Sequence, residues 1–163
     1  MKVNTLRFGE LEVDESKIFH FPMGILGFSS CKDFIIIESE GVHPFKWMQS
    51  IDDPSAAFVL GDPLLFYPSY CASIKRDELN SLEPIQEEDL VLSVIMTVPS
   101  SPKDVSANLC APLIFNLANQ RGMQYVLHDS RYPVKYFPFK DVSPQLPAPV
   151  SETQGDPRSL SLR

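Results

Sequence analysis

The stretch Phe45-Lys46-Trp47-Met48-Gln49-Ser50-Ile51-Asp52-Asp53-Pro54-Ser55-Ala56-Ala57-Phe58-Val59-Leu60 reads as two extended runs joined by one tight turn. Within Ile51-Asp52-Asp53-Pro54-Ser55-Ala56, an aspartate takes position i and Pro54 position i+1 of a type I turn. The flanking runs, Phe45–Ile51 and Ala56–Leu60, are rich in aromatic and branched side chains, which suit a pleated and partly buried surface. Successive side chains alternate across a strand, so Phe45, Trp47, Gln49 and Ile51 share one face, and Lys46, Met48 and Ser50 the other. If the Phe/Trp/Ile face holds the core, Gln49 is a partly buried amide, and leaving it without partners costs about 1–3 kcal/mol.

The same pattern extends in both directions. Fifteen prolines against seven glycines are scattered so that few stretches can hold a long helix. Between them lie short runs that read as strands: Lys2–Phe8, Glu10–Val13, Lys17–Phe21 and Phe34–Glu38 before the hairpin. After it, Leu90–Val98 is a nearly continuous apolar run, suited to a strand covered on both faces. Val105–Phe115 reads as another long strand, in which Pro112 cannot donate to a ladder and so demands a bulge or an edge position. Met123–Leu127 and Tyr132–Phe137 complete the set. The one helical window is Ser73–Leu82, closed by Pro84 and worth two turns at most. The expected fold is mainly β: a small antiparallel, barrel-like single domain over residues 1–140 with one or two short helices. Residues 141–163 hold four prolines, four serines and no aromatic side chain, and read as a disordered Pro/Ser-rich tail.

Composition bounds the rest. At 163 residues, 44% hydrophobic and 21% charged, the chain suits one domain. A globule of that size buries roughly 68–70% of its extended-chain surface and needs no disulfide or metal merely to fold. With 14 Lys+Arg against 21 Asp+Glu the formal charge is −7, which argues against direct nucleic-acid binding through phosphate contacts. The first residues carry no apolar signal region and no run approaches the ~20 residues of a spanning helix, so a cytoplasmic protein without membrane contact is expected. Cys31, Cys71 and Cys110 are widely spaced and read as reduced thiols.

Catalytic signatures are sparse. There is no G-x-G-x-x-G, P-loop, G-x-S-x-G, H-E-x-x-H or calcium loop. His20, His43 and His128 do not stand at metal-ligand spacing from one another or from a cysteine, and His20 reads as a solvent-facing residue of its strand. No cofactor and no enzymatic activity are expected. Gly24 and Gly27 in Phe21-Pro22-Met23-Gly24-Ile25-Leu26-Gly27-Phe28 have apolar neighbours and read as a tight turn with positive φ, not as a phosphate cradle. Acidic side chains are denser: Asp62, Asp77, Glu78, Glu83, Glu87, Glu88 and Asp89 face only Lys75 and Arg76 between positions 62 and 89. Such a stretch is either a solvated loop or an acidic surface for a basic partner.

Five segments in order resemble the flagellar assembly factor FliW family. They are Phe21–Phe28, Pro44–Ser50, Phe58–Pro63, Phe66–Tyr70 and Ala107–Ile114, spread over roughly residues 1–137, with the tail outside. The resemblance implies a non-enzymatic cytoplasmic regulator that binds flagellin and the RNA-binding translational repressor CsrA. Export of flagellin would free the factor to take up CsrA and relieve repression. The residues leave open whether the acidic stretch mimics RNA or docks elsewhere and displaces RNA allosterically; the resemblance favours the second. Within the matched segments Gln49, Asp62, Tyr70 and Asn108 are candidates for partner contact or for supporting a binding loop, alongside the acidic Asp77, Glu78, Glu87, Glu88 and Asp89. The residue pattern also suits a small-molecule or flavin-binding barrel, and, third, a hydrolase using Cys71 or His128.

Overall fold

The computed structural model describes residues 1–129, 131–140 and 159–162. Its strands are β1 (Lys2–Thr5), β2 (Gly9–Glu12), β3 (Phe19–His20), β4 (Asp33–Glu38), β5 (Lys46–Ser50) and β6 (Ala57–Gly61). They continue as β7 (Ala72–Lys75), β8 (Leu90–Thr97), β9 (Ser106–Ala107), β10 (Leu113–Asn116), β11 (Arg121–Gln124) and β12 (Ser159–Leu162). Ladders run β11-β3-β4-β5-β6-β8, and β10 pairs with both β8 and β11, so seven strands close into a barrel. The contact of β11 with β3 is parallel and the other ladders are antiparallel.

The hairpin takes the expected turn. Ala56 N donates to Asp53 O at 3.1 Å, and Ser55 N donates to the Asp53 carboxylate at 2.8 Å. The barrel interior takes the Met48 face, with Ile36 and Phe58 opposite Met48 in register. Phe19, Phe21, Phe34, Leu113 and Phe115 fill the rest, through edge-to-face pairs Phe19–Phe115 at 5.0 Å, Phe21–Phe34 at 5.2 Å and Phe21–Phe115 at 5.5 Å. The outer face is covered too. The β1–β2 hairpin lays Val3 and Val13 on Ile35. On the other side Tyr70, Ala72, Ile74, Leu79 and Leu82 pack over Leu92, Val94 and Met96 of β8. Leu92, Val94 and Met96 point outward into that layer while Ile95 packs inward, so β8 has apolar cover on both faces, as its nearly continuous apolar run implies.

Four expectations are corrected. Val105–Phe115 is not one strand: β9 and β10 both lie along β8, but residues 108–112 leave the ladder around Pro112. Tyr132–Phe137 forms a single bridge, Ala107 with Tyr136, because Pro133 and Pro138 supply no N–H for a ladder. The window Ser73–Leu82 begins as strand β7 and becomes a 3₁₀ turn only over Arg76–Leu82, broken by non-helical torsions at Leu79. Ser159–Leu162, inside the segment expected to be disordered, is a strand that buries Leu160 and Leu162; the other residues of 141–163 lie outside the described ones. Gly24 and Gly27 do adopt positive φ, 69° and 84°. Phe28 after them stays partly exposed, edge-on to Phe58 at 5.0 Å, instead of entering the core.

Candidate docking surface

The acidic residues from 77 to 89 ride on a segment held against the barrel by side chains of the β10–β11 hairpin. Asn116 Nδ2 donates to Leu82 O and Pro84 O, both at 2.9 Å, and Asn119 Nδ2 donates to Leu82 O at 3.0 Å. Arg121 Nη1 donates to Ser81 O at 3.2 Å, and the Tyr125 hydroxyl donates to the Glu78 carboxylate. Leu79 and Leu82 anchor the segment from below, fully buried. At its far end Leu117 N donates to Asp89 O at 2.9 Å, which ties the Glu87–Asp89 turn to the same hairpin. Asp77, Glu78, Glu83, Glu87 and Glu88 are exposed and Asp89 is half-buried. Among the described residues the ion pairs are Lys2–Glu10, Lys46–Glu38 and Arg131–Asp129, so none of the shelf carboxylates is ion-paired, while Arg76 and Arg121 donate to its carbonyls.

The other candidates lie elsewhere, and most are structural in what they touch. Gln49 is fully enclosed: its Nε2 donates to Ser50 O at 2.9 Å and Ala56 O at 3.2 Å, bracing the hairpin turn from inside, while its Oε1 has no partner among the described residues. Tyr70 is also fully enclosed, with its hydroxyl donating to Leu109 O at 2.7 Å and its ring 4.5 Å from that of Tyr132. Neither offers a surface to a partner; each supports a loop. Asn108 is half-buried and caps the excursion from β8, its Oδ1 accepting from Cys110 N and Ala111 N at 3.1 Å. Asp62 is exposed, and its carboxylate accepts from Leu64 N at 2.9 Å at the start of the Pro63–Leu65 turn. Asp62 thus caps a local turn, while the shelf is assembled from residues 77–89.

Residue types alone did not single out the groups that build the shelf. Asn116, Asn119, Arg121 and Tyr125 are 30 or more positions from the carbonyls and carboxylate they hold. The one available signal was an asparagine ending an apolar strand, Leu113-Ile114-Phe115-Asn116, where a buried amide must find several partners. Equally unflagged was the cluster of Tyr67, Tyr70, Tyr132 and Tyr136, assembled from two distant segments. Of the residues named for a hydrolase, Cys71 is half-buried and its N donates to the Tyr132 hydroxyl at 3.1 Å, and His128 is exposed.

Tyr125 offers a pH readout of the shelf. Partial burial, then the hydrogen bond and charge of Glu78, push its pKa up to about 12, from about 10 in an unfolded chain. A raised folded-state pKa means that the native state holds the proton more tightly. This contribution to stability is complete below pH 10 and is lost as pH climbs towards 12. Urea titrations between pH 9 and 11.5 should therefore show wild type losing more stability than Tyr125→Phe. Burial also raises Tyr67 and Tyr70, but both residues are present in either protein and cancel in the comparison.

A seven-stranded barrel filled with its own aromatic rings, with the acidic shelf on its outside, defines a small β-barrel protein. The family model described as FliW protein matches residues 2–138. The flagellar assembly factor FliW of Syntrophus aciditrophicus is 42% identical over 136 residues, 83% of this chain and 86% of that one. That of Caldicellulosiruptor saccharolyticus is 39% identical over 136 residues, 83% of this chain and 89% of that one. A crystal structure of the flagellar assembly factor FliW superposes with a TM-score of 0.80 at 33% identity, covering 88% of this chain and all of that one. The chain belongs to the FliW family of flagellar assembly factors.

Proposed function

We propose that this protein is a cytoplasmic, non-catalytic regulator of flagellar assembly that binds flagellin and the translational repressor CsrA in exchange for one another. Family membership over the whole barrel carries the reading. The carboxylate shelf adds a physical basis: an exposed surface in which carboxylates outnumber cations attracts a basic RNA-binding partner and raises its association rate more than its final affinity. Partner exchange requires no chemical step. A few kcal/mol of differential binding suffices to move the regulator from one partner to the other. Linkage then requires that whatever the factor does to RNA affinity, RNA does equally to factor affinity.

Calorimetric titration with purified CsrA and purified flagellin tests this directly, and no heat from either at tens of micromolar would end it. The double charge reversal Glu87→Lys/Glu88→Lys should weaken CsrA binding by about tenfold at low salt, by less at high salt, and leave the melting temperature close to wild type, since both side chains are exposed. A binding constant unmoved by both salt and charge reversal would remove the shelf from the interface. The rival reading, a small-molecule or flavin-binding barrel, lacks room where such a barrel holds its ligand. Phe21, Phe34, Met48 and Leu113 are fully buried in that space, and a Cβ on Gly122 would stand 2.2 Å from the Phe21 ring.

A further inference from the structure

The strand β7 stands apart from the barrel sheet, and its ladder partner among the described residues is β12. The pairing is antiparallel, with Ser159 opposite Lys75, Leu160 opposite Ile74, Ser161 opposite Ser73 and Leu162 opposite Ala72. Leu160 and Leu162, 6% and 7% exposed, drop into the same core layer as Ala72, Ile74, Leu79 and Leu82, while Ser161 faces outward. Take β12 away and β7 becomes an open edge: unpaired backbone groups beside a slot that takes one branched apolar side chain at every second position. Such an edge is a template for a strand from another chain. The family match ends at residue 138, so β7 belongs to the shared domain and the strand covering it does not.

We infer that the β7 edge is a docking site for an extended segment of a protein partner that carries two branched apolar residues two positions apart, separated by a small polar one. β12 is its occupant in cis. Both strands need the same backbone groups of β7 and the same slot, so seating of β12 and docking of the partner exclude each other. A tethered competitor acts at an effective concentration of about millimolar order, which lowers the apparent affinity of a strand arriving in trans without altering the site itself. The segment outside the shared domain thereby sets a threshold for the domain's use. The inference rests on the fold and on where the family match stops, and holds whichever partner binds the acidic shelf.

The test uses the full chain and a fluorescein-labelled synthetic peptide of residues 155–163, with a control peptide that carries Leu160→Ser and Leu162→Ser. Fluorescence anisotropy is read against wild type and against Leu160→Asp/Leu162→Asp, which ejects β12 while keeping the chain length. The expected result is binding to the variant at least about tenfold tighter than to wild type, and no binding of the leucine-free control peptide. As a second measurement, hydrogen exchange on wild type with saturating peptide should accelerate at Ser159–Leu162, which keeps the test open even if the variant does not fold. Equal binding to both proteins, no binding to the variant, equal binding of both peptides, or unchanged exchange would overturn the inference. So would a wild-type dimer at tens of micromolar that dissociates when β12 is ejected, since β12 would then sit on a second copy instead of in cis.

Discussion

Asn116→Asp should cost about 3–5 kcal/mol at neutral pH, the cost of an uncompensated buried charge. The side chain is fully buried, and its Nδ2 group faces two carbonyl oxygens, Leu82 O and Pro84 O, each at 2.9 Å. Its Oδ1 meanwhile accepts from Ala118 N at 3.0 Å. Replacing the amide by a carboxylate keeps that last bond and turns two attractive contacts into repulsive ones. Burial and the two carbonyls raise the introduced carboxyl's pKa above the unfolded value of about 3.9. A raised folded-state pKa makes the native state relatively best when protonated, so the penalty should shrink below pH 4 and grow as pH rises through the folded-state value. Asn116→Ala loses the same donors without introducing charge, so its penalty should show no such pH dependence. Chemical denaturation of the three proteins at pH 3.5 and pH 7 reads this; equal penalties at both pH values for the aspartate variant would contradict the burial of that site. Because Asn116 also holds the 76–84 segment, Asn116→Ala should loosen the acidic shelf, and hydrogen exchange there should rise.

Gly122→Ala should cost about 3 kcal/mol, the upper part of the usual range for an overfilled core, and lower the melting temperature by roughly 10 °C. A Cβ at this position would lie 2.2 and 2.3 Å from ring atoms of Phe21. That ring cannot swing away: it is fully buried and held edge-to-face by Phe34 at 5.2 Å and Phe115 at 5.5 Å. The glycine is therefore required by close approach and not by its backbone torsions. A double-mutant cycle makes the argument specific. Phe21→Leu opens space at the ring positions that the new methyl group invades, so Gly122→Ala should cost less in the Phe21→Leu background, with a coupling of about 1 kcal/mol or more. Additive penalties would show that the methyl group is accommodated elsewhere.

Much of the barrel was legible because its strands obey a local rule. The alternation in Phe45–Ile51, the Asp-Pro turn after it and the nearly continuous apolar run of Leu90–Val98 each follow from how a pleated chain presents its side chains, and each appears in the structure with boundaries moved by a residue or two. Pro112 called for an interruption, and the chain leaves the ladder there, with Asn108 closing the excursion. Where the reading failed, a distant partner decided. Ser73, Ile74 and Lys75 have spacing compatible with the start of a helix, but β12 supplies a ladder more than eighty positions away. Ser159–Leu162 lies in a segment too poor in apolar residues to fold alone, yet its two leucines find a slot already built by β7 and the turn after it.

The candidate site divides in the same way. That acids crowd positions 77 to 89 is a fact of composition, and so is the net charge of −7 that sets how the surface meets a cation. That these acids stand together on a firm shelf depends on Asn116, Asn119, Arg121 and Tyr125 reaching across from another hairpin. Gln49 and Tyr70, polar members of matched segments, turned out to be enclosed. By itself the sequence determined most of the barrel's strands, the turns and the charge, because periodicity, proline and net charge act over a few residues or over the whole composition; the family was carried by five ordered segments. Only the tertiary structure decided which polar groups are buried, which edge of β7 is covered and by what, and which carboxylates share a surface. Those outcomes hinge on hydrogen bonds and packing between segments far apart in the chain, and a backbone group or a slot has no preference that its own neighbours in sequence reveal.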